Sequence, residues 1–140
     1  MTEGLPEYVH NRLYDLALTM KDARETGTDD AVHDAFEEMR DYCLALIAEG
    51  REFTTLWETL GDFALDDEQA LEYYDHALML AERNEESIHT ILLGIGERRA
   101  SLQQYDDARE ILRKGLHLAI EAADEDMVTR ADVLLSELPI

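Results

Sequence analysis

Residues 55–81, TLWETLGDFALDDEQALEYYDHALMLA, and residues 90–119, TILLGIGERRASLQQYDDAREILRKGLHLA, read as two versions of one pattern. In each, an apolar stretch with helical spacing ends in a short turn, LDDE at 65–68 or QQYDD at 103–107, and a second helical stretch follows. Leu56, Trp57, Leu60 and Phe63 line the first helix of the first copy, and Ala70, Tyr73 or Tyr74, Ala77, Leu78 and Ala81 line its second. The second copy carries Ile88, Ile91, Leu92, Ile95 and Leu102, then Ala108, Ile111, Leu112, Leu116 and Ala119. Glycine or alanine at a helix contact lets two axes approach, and a large side chain of the partner helix fills the space above.

The same spacing extends outward. Pro6 and Pro139 are the only prolines, so helices are free to run between them. A first helix over about Pro6 to Arg24 repeats Val9, Leu13, Leu16, Ala17 and Met20. A second over about Asp29 to Glu49, capped by Thr28 and stopped by Gly50, repeats Val32, Phe36, Met39, Cys43 and Leu46 or Ile47. A last helix over about Met127 to Leu138 carries Val128, Ala131, Leu134, Leu135 and Leu138. The expected fold is all-α: about seven helices in stacked antiparallel hairpins, forming a single domain over residues 1–140. Its parts are an N-terminal hairpin at 1–50, two hairpins at 51–124 and a capping helix at 125–140.

Trp57, Leu60 and Gly61 match the W-x2-L-G signature of the tetratricopeptide repeat, a helical pair of about 34 residues, and Ala70, Tyr74 and Ala77 match the spacing of its second helix. In the second copy Ile95, Gly96, Tyr105, Ala108, Leu112 and Gly115 fall where that pattern places them, with Leu92 in the aromatic position. The chain therefore resembles the tetratricopeptide repeat family over residues 54–122. The first copy departs from it, because its first helix is about three residues short before Ala70. The resemblance implies a right-handed stack of hairpins with a concave groove that receives a peptide or partner helix, and it implies no chemistry.

The charge narrows the partners. Acids number 33 against 12 Lys and Arg, a formal net charge of −21, which repels phosphate backbones and anionic lipid. Direct nucleic-acid or membrane binding is not expected. One cysteine, Cys43, excludes an internal disulfide and sits on an apolar stripe. The opening MTEGLPEYVHNR has no targeting pattern and no later stretch has the length of a membrane span, so a cytoplasmic location is expected.

A search for chemistry finds little. His10, His33, His76, His89 and His117 are scattered over five helices without a metal motif; His33 and Glu37 are spaced i, i+4, a pairing common on exposed faces. Gly94 and Gly96 lie inside a helical apolar pattern with no strand before them, which fits close packing and not a phosphate loop. No nucleophile has a base beside it. The expectation is a protein without catalytic residues, metal or cofactor.

What remains is binding. Trp57, Tyr73, His76, Arg109, Arg113 and His117 are the candidate groove residues, and Tyr74 and Tyr105 fit seams better. Arg98, Arg99, Arg109, Arg113 and Lys114 cluster, either paired to Asp106, Asp107 and Glu110 or open to a carboxylate. Asp29, Asp30, Asp34, Glu37, Glu38 and Asp41 form an acidic surface. The expected partner is a protein with a basic surface, held by an immunity- or antitoxin-type inhibitor. A secretion-type chaperone or adaptor holding a client segment and an acidic DNA mimic are the alternatives, and a homodimer is compatible with the sequence.

Overall fold

The computed structural model describes residues 4–140, so the first three residues of the N-terminal stretch read above for targeting lie outside the described residues. The described residues form seven helices and no strand: α1 (Glu7–Thr26), α2 (Asp29–Ala48), α3 (Thr54–Phe63), α4 (Asp67–Arg83), α5 (His89–Ser101), α6 (Tyr105–Glu121) and α7 (Glu125–Ser136). Each helix packs on its neighbour in the chain, giving hairpins α1–α2, α3–α4 and α5–α6, with α7 folded back on α6 and α5. From α3 onward the odd-numbered helices also meet across hairpins, α3 with α5 and α5 with α7, and no comparable packing joins α4 to α6. One side of the stack is therefore a continuous row of α3, α5 and α7.

Local chemistry sets the helix ends. The Thr28 hydroxyl accepts from the Ala31 N–H at 3.2 Å and the Asp66 carboxylate from the Glu68 N–H at 3.0 Å, each satisfying a first-turn donor. The last helix begins two residues before the expected Met127, because Asp124 caps it by accepting from the Met127 N–H at 3.4 Å. Its pattern of apolar residues starts only at Met127, which hid the acidic first turn Glu125–Asp126.

Four joints share one geometry. After α2, α4, α5 and α6 the chain turns through a residue with positive φ, and an N–H reaches back to the last turn: Arg51 to Leu46 O, Glu86 to Ala81 O, Gln104 to Arg99 O and Asp124 to Ala119 O, at 2.8–3.0 Å. This is the Schellman closure, and glycine is its natural residue. Gly50 fills the first (φ 86°), but Glu85, Gln103 and Ala123 (φ 54–64°) hold the others. An L-residue is strained there, so Ala123→Gly, at an exposed site, is expected to raise stability by about 0.5–1 kcal/mol in urea unfolding followed by circular dichroism. A loss of stability would show that the left-handed joint is not strained.

The core runs the length of the stack: Val9, Leu13, Leu16 and Met20 meet Phe36, Met39, Cys43 and Leu46, and continue through Leu56, Leu60, Tyr74, Ile91 and Leu92. A second cluster centres on Leu93, Leu112 and Ala131 under α7. Tyr74 joins two hairpins. Its buried ring lies over Gly61 of α3 and Gly94 of α5, where added Cβ atoms would fall 2.6 Å and 2.5 Å from ring atoms. Gly96 similarly seats Leu112, and Gly115 seats Leu93.

Arg98 closes the same junction on its polar side. α3 has ten residues where α5 has thirteen, and its end carbonyls would otherwise stand open. The Arg98 guanidinium donates to Gly61 O, Asp62 O and Ala64 O at 2.9–3.2 Å and to Asp67 Oδ1 at 3.0 Å. Among the basic residues expected to pair with Asp106, Asp107 or Glu110, Arg109 does so, to Asp106 at 3.4 Å, and also donates to Pro139 O at 2.6 Å. Arg98 does not, because its place on α5 points it across the hairpin boundary to α3 and α4.

Candidate partner-binding face

On α3, Glu58 and Asp62 are one turn apart and so share a face. Glu58 lies beside Thr90 of α5, while Asp62 accepts from the Tyr74 hydroxyl at 2.6 Å. Glu97, also on α5, accepts from Arg130 of α7 at 2.9 Å. The α3–α5–α7 row thus carries three carboxylates around Arg130. Arg98, the other guanidinium near Asp62, is committed to Asp67 and the carbonyls of α3, and His89 is committed to Asp124 with Nε2 2.8 Å from the carboxylate.

Glu58 and Asp62 are held at a cost. Burial raises the Glu58 pKa, with Asp62 adding to the rise and Thr90, His89 and Arg130 opposing it. Burial likewise raises Asp62, opposed by the Tyr74 hydrogen bond, Arg130 and Arg98 and reinforced by Glu97. A partly desolvated carboxylate with incomplete compensation favours any cation brought to it. The arrangement can receive an ammonium or guanidinium group.

The expected groove residues separate into two groups. Trp57, on α3, stacks on His76 of α4 with ring centroids 4.2 Å apart and planes 15° apart, and Tyr73 lies 6.3 Å from the same indole. Trp57 and Tyr73 are half-buried against the core and His76 is exposed, so these three form one aromatic group between α3 and α4. Arg109, Arg113 and His117 lie apart from it on α6, where Arg113 is exposed and His117 pairs with Glu121 at 2.8 Å. Tyr73, Arg109 and their neighbours on α4 and α6 thus belong to the even-numbered helices, whereas the continuous row is built from the odd-numbered ones.

The α2 acids are largely exposed, and three of the six pair with arginine. Glu38 pairs with Arg12 at 2.9 Å, and Glu37 and Asp41 flank Arg40 at 4.0 Å and 3.6 Å. Asp29 and Asp30 occupy the first turn of α2, where the helix N-terminus favours negative charge. His33, Asp34 and Glu37 bring potential metal-ligand atoms within 4.8 Å of one another on a single solvent-facing stretch, with nothing else in the structure pointing to an ion there.

A different surface lies between α1 and the end of α3. Tyr14, Ala17 and Leu18 face Phe63 across a cleft of about 470 Å³, with Lys21, Arg24 and Glu25 at its edge. The Arg24 guanidinium lies 5.7 Å from the Phe63 ring centroid. Neither this cleft nor the Glu58–Asp62–Glu97–Arg130 group was among the sequence candidates. The available signal was slight: Glu58 and Asp62 interrupt the apolar first helix of a copy at i, i+4, and Leu18 extends the apolar stripe of α1 beyond the width that packing on α2 uses.

Cys43 is buried, and burial pushes its thiol up to about 12, which leaves it unreactive at neutral pH. Among the described residues no helix is long and apolar enough to cross a membrane. Comparison of the chain with protein-family models, with curated proteins and with solved structures gives no match.

Proposed function

We propose that this chain is a non-enzymatic, tetratricopeptide-like binding module that holds a basic protein partner on its α3–α5–α7 row, as an immunity- or antitoxin-type inhibitor does in the cytoplasm. The observation that carries the reading is the group of Glu58, Asp62 and Glu97 around Arg130, two of whose carboxylates burial disfavours in the free protein. A partner's lysine or arginine placed there relieves that penalty, and the net charge of −21 speeds its approach. The two-copy pattern with Trp57, Leu60 and Gly61 supports the repeat character. The α2 acids support the DNA-mimic alternative less well, because Arg12 and Arg40 neutralise part of them. The apolar cleft beside Phe63 favours, as a second reading, a chaperone or adaptor that holds a client's apolar segment.

The test is capture of partners from source cells, followed by titration of each captured protein against the whole chain at low and high salt. The triple variant Glu58→Gln, Asp62→Asn, Glu97→Gln keeps one acceptor oxygen on each side chain and removes the charge. It is expected to weaken a basic partner at least about tenfold, the scale of one charge-assisted hydrogen bond. The control Asp34→Asn, Glu38→Gln, Asp41→Asn on α2 should change affinity by less than about threefold, as solvated ion pairs do. The reverse ranking would move the site to α2 and favour the DNA mimic. A client that is not basic and binds independently of both variants would favour the chaperone.

A further inference from the structure

We infer that the cleft between α1 and the end of α3 is a binding site for a free amphiphilic carboxylate, its chain lying between Leu18 and Phe63 and its anionic head between Lys21 and Arg24. This goes beyond the protein-partner reading and does not depend on it. The cleft, about 470 Å³, has the size of small-molecule sites and their composition, apolar walls with few polar groups. Tyr14 and Leu18 stand 61% and 42% exposed, apolar surface that nothing in the fold covers.

The charge at its edge selects the ligand. Lys21 and Arg24 are spaced i, i+3 and border the same opening, with Arg24 set over Phe63. Among the described residues neither has a carboxylate within ion-pair distance, although the chain carries 33 acids. Glu25 shares the edge without closing on either cation. Two cations without an ion pair at the opening favour an anion where the chain as a whole attracts cations, and the two demands make opposite predictions for ligands with the same tail.

The probes are decanoate, decanol and decyltrimethylammonium, titrated against the full chain at low salt with amide chemical shifts as the readout. Decanoate is expected to bind at least about tenfold more tightly than the other two, the worth of a hydrogen bond to a charged group, with shifts centred on Leu18 and Phe63. The double variant Lys21→Gln, Arg24→Gln should bring decanoate within about threefold of decanol, and Leu18→Asp should abolish binding of all three. All three positions are exposed, so the variants should keep the wild-type melting profile. Equal binding of decanol and decanoate, tighter binding of the ammonium, or shifts away from the cleft would each overturn the proposal.

Discussion

Tyr74→Ala is expected to lower the free energy of unfolding by about 3–5 kcal/mol, the usual cost of emptying a large aromatic site. Against a total of about 5–15 kcal/mol for a domain, that brings the fold close to failure. The ring is buried on all sides and its hydroxyl donates to Asp62, so truncation leaves a cavity and removes one partner of a part-buried carboxylate. Approaching the same contact from the other side, Gly94→Ala sets a methyl 2.5 Å from the ring and should cost about 1–3 kcal/mol through overpacking. Combining Gly94→Ala with Tyr74→Leu should cost less than the sum of the single changes, because the shorter side chain vacates the space the methyl needs. Urea unfolding of the four proteins settles it: strict additivity would mean that the ring does not span the two hairpins.

Arg98→Ala should cost about 2–4 kcal/mol, as expected when a largely buried cation with several hydrogen bonds is removed. Three carbonyls at the end of α3 lose a donor, and Asp67 loses its ion pair while keeping the Ser101 hydroxyl at 2.7 Å. Arg98→Lys should recover only part of the loss, since one ammonium cannot span the same acceptors. The pH dependence has a definite sign. The Ser101 hydrogen bond, and then Arg98, hold the Asp67 carboxyl below the ordinary aspartate range. The pair's contribution is thus complete above that range and is lost as the pH falls through the lowered value, so the gap between wild type and Arg98→Ala should narrow in acid. A gap of constant size down to the lowest accessible pH would leave the carbonyl contacts as the whole effect.

Much of this was readable from spacing. Thr28 as a cap, Gly50 as a stop, and the small residues at Gly61, Gly94, Gly96 and Gly115 are local signals, set by one helical turn or by what a helix contact admits. The three-residue shortfall of α3 was visible as well, but its remedy was not, because Arg98 lies more than thirty residues from the carbonyls it serves. The same distance hid the pairing of Glu97 with Arg130 and of Glu58 with Thr90: each depends on the angle at which one hairpin meets the next, and apolar periodicity carries no record of that angle. Trp57, Tyr73 and His76 could be named together because they flank a single turn, whereas Arg109 and Arg113 stood out only as part of a cluster of basic residues, which says nothing of where α6 lies relative to that turn.

The ring of Tyr74 occupies space that belongs to Gly61 and Gly94 at once, so the three positions form a single heritable unit. Enlarging either glycine while the tyrosine stays crowds the ring, and shrinking the tyrosine opens a void that both glycines border. Drift is open to the surface acids one position at a time. At this junction a change at one position alters what the other two can accept, so the second and third hairpins are tied together by shape as well as by burial.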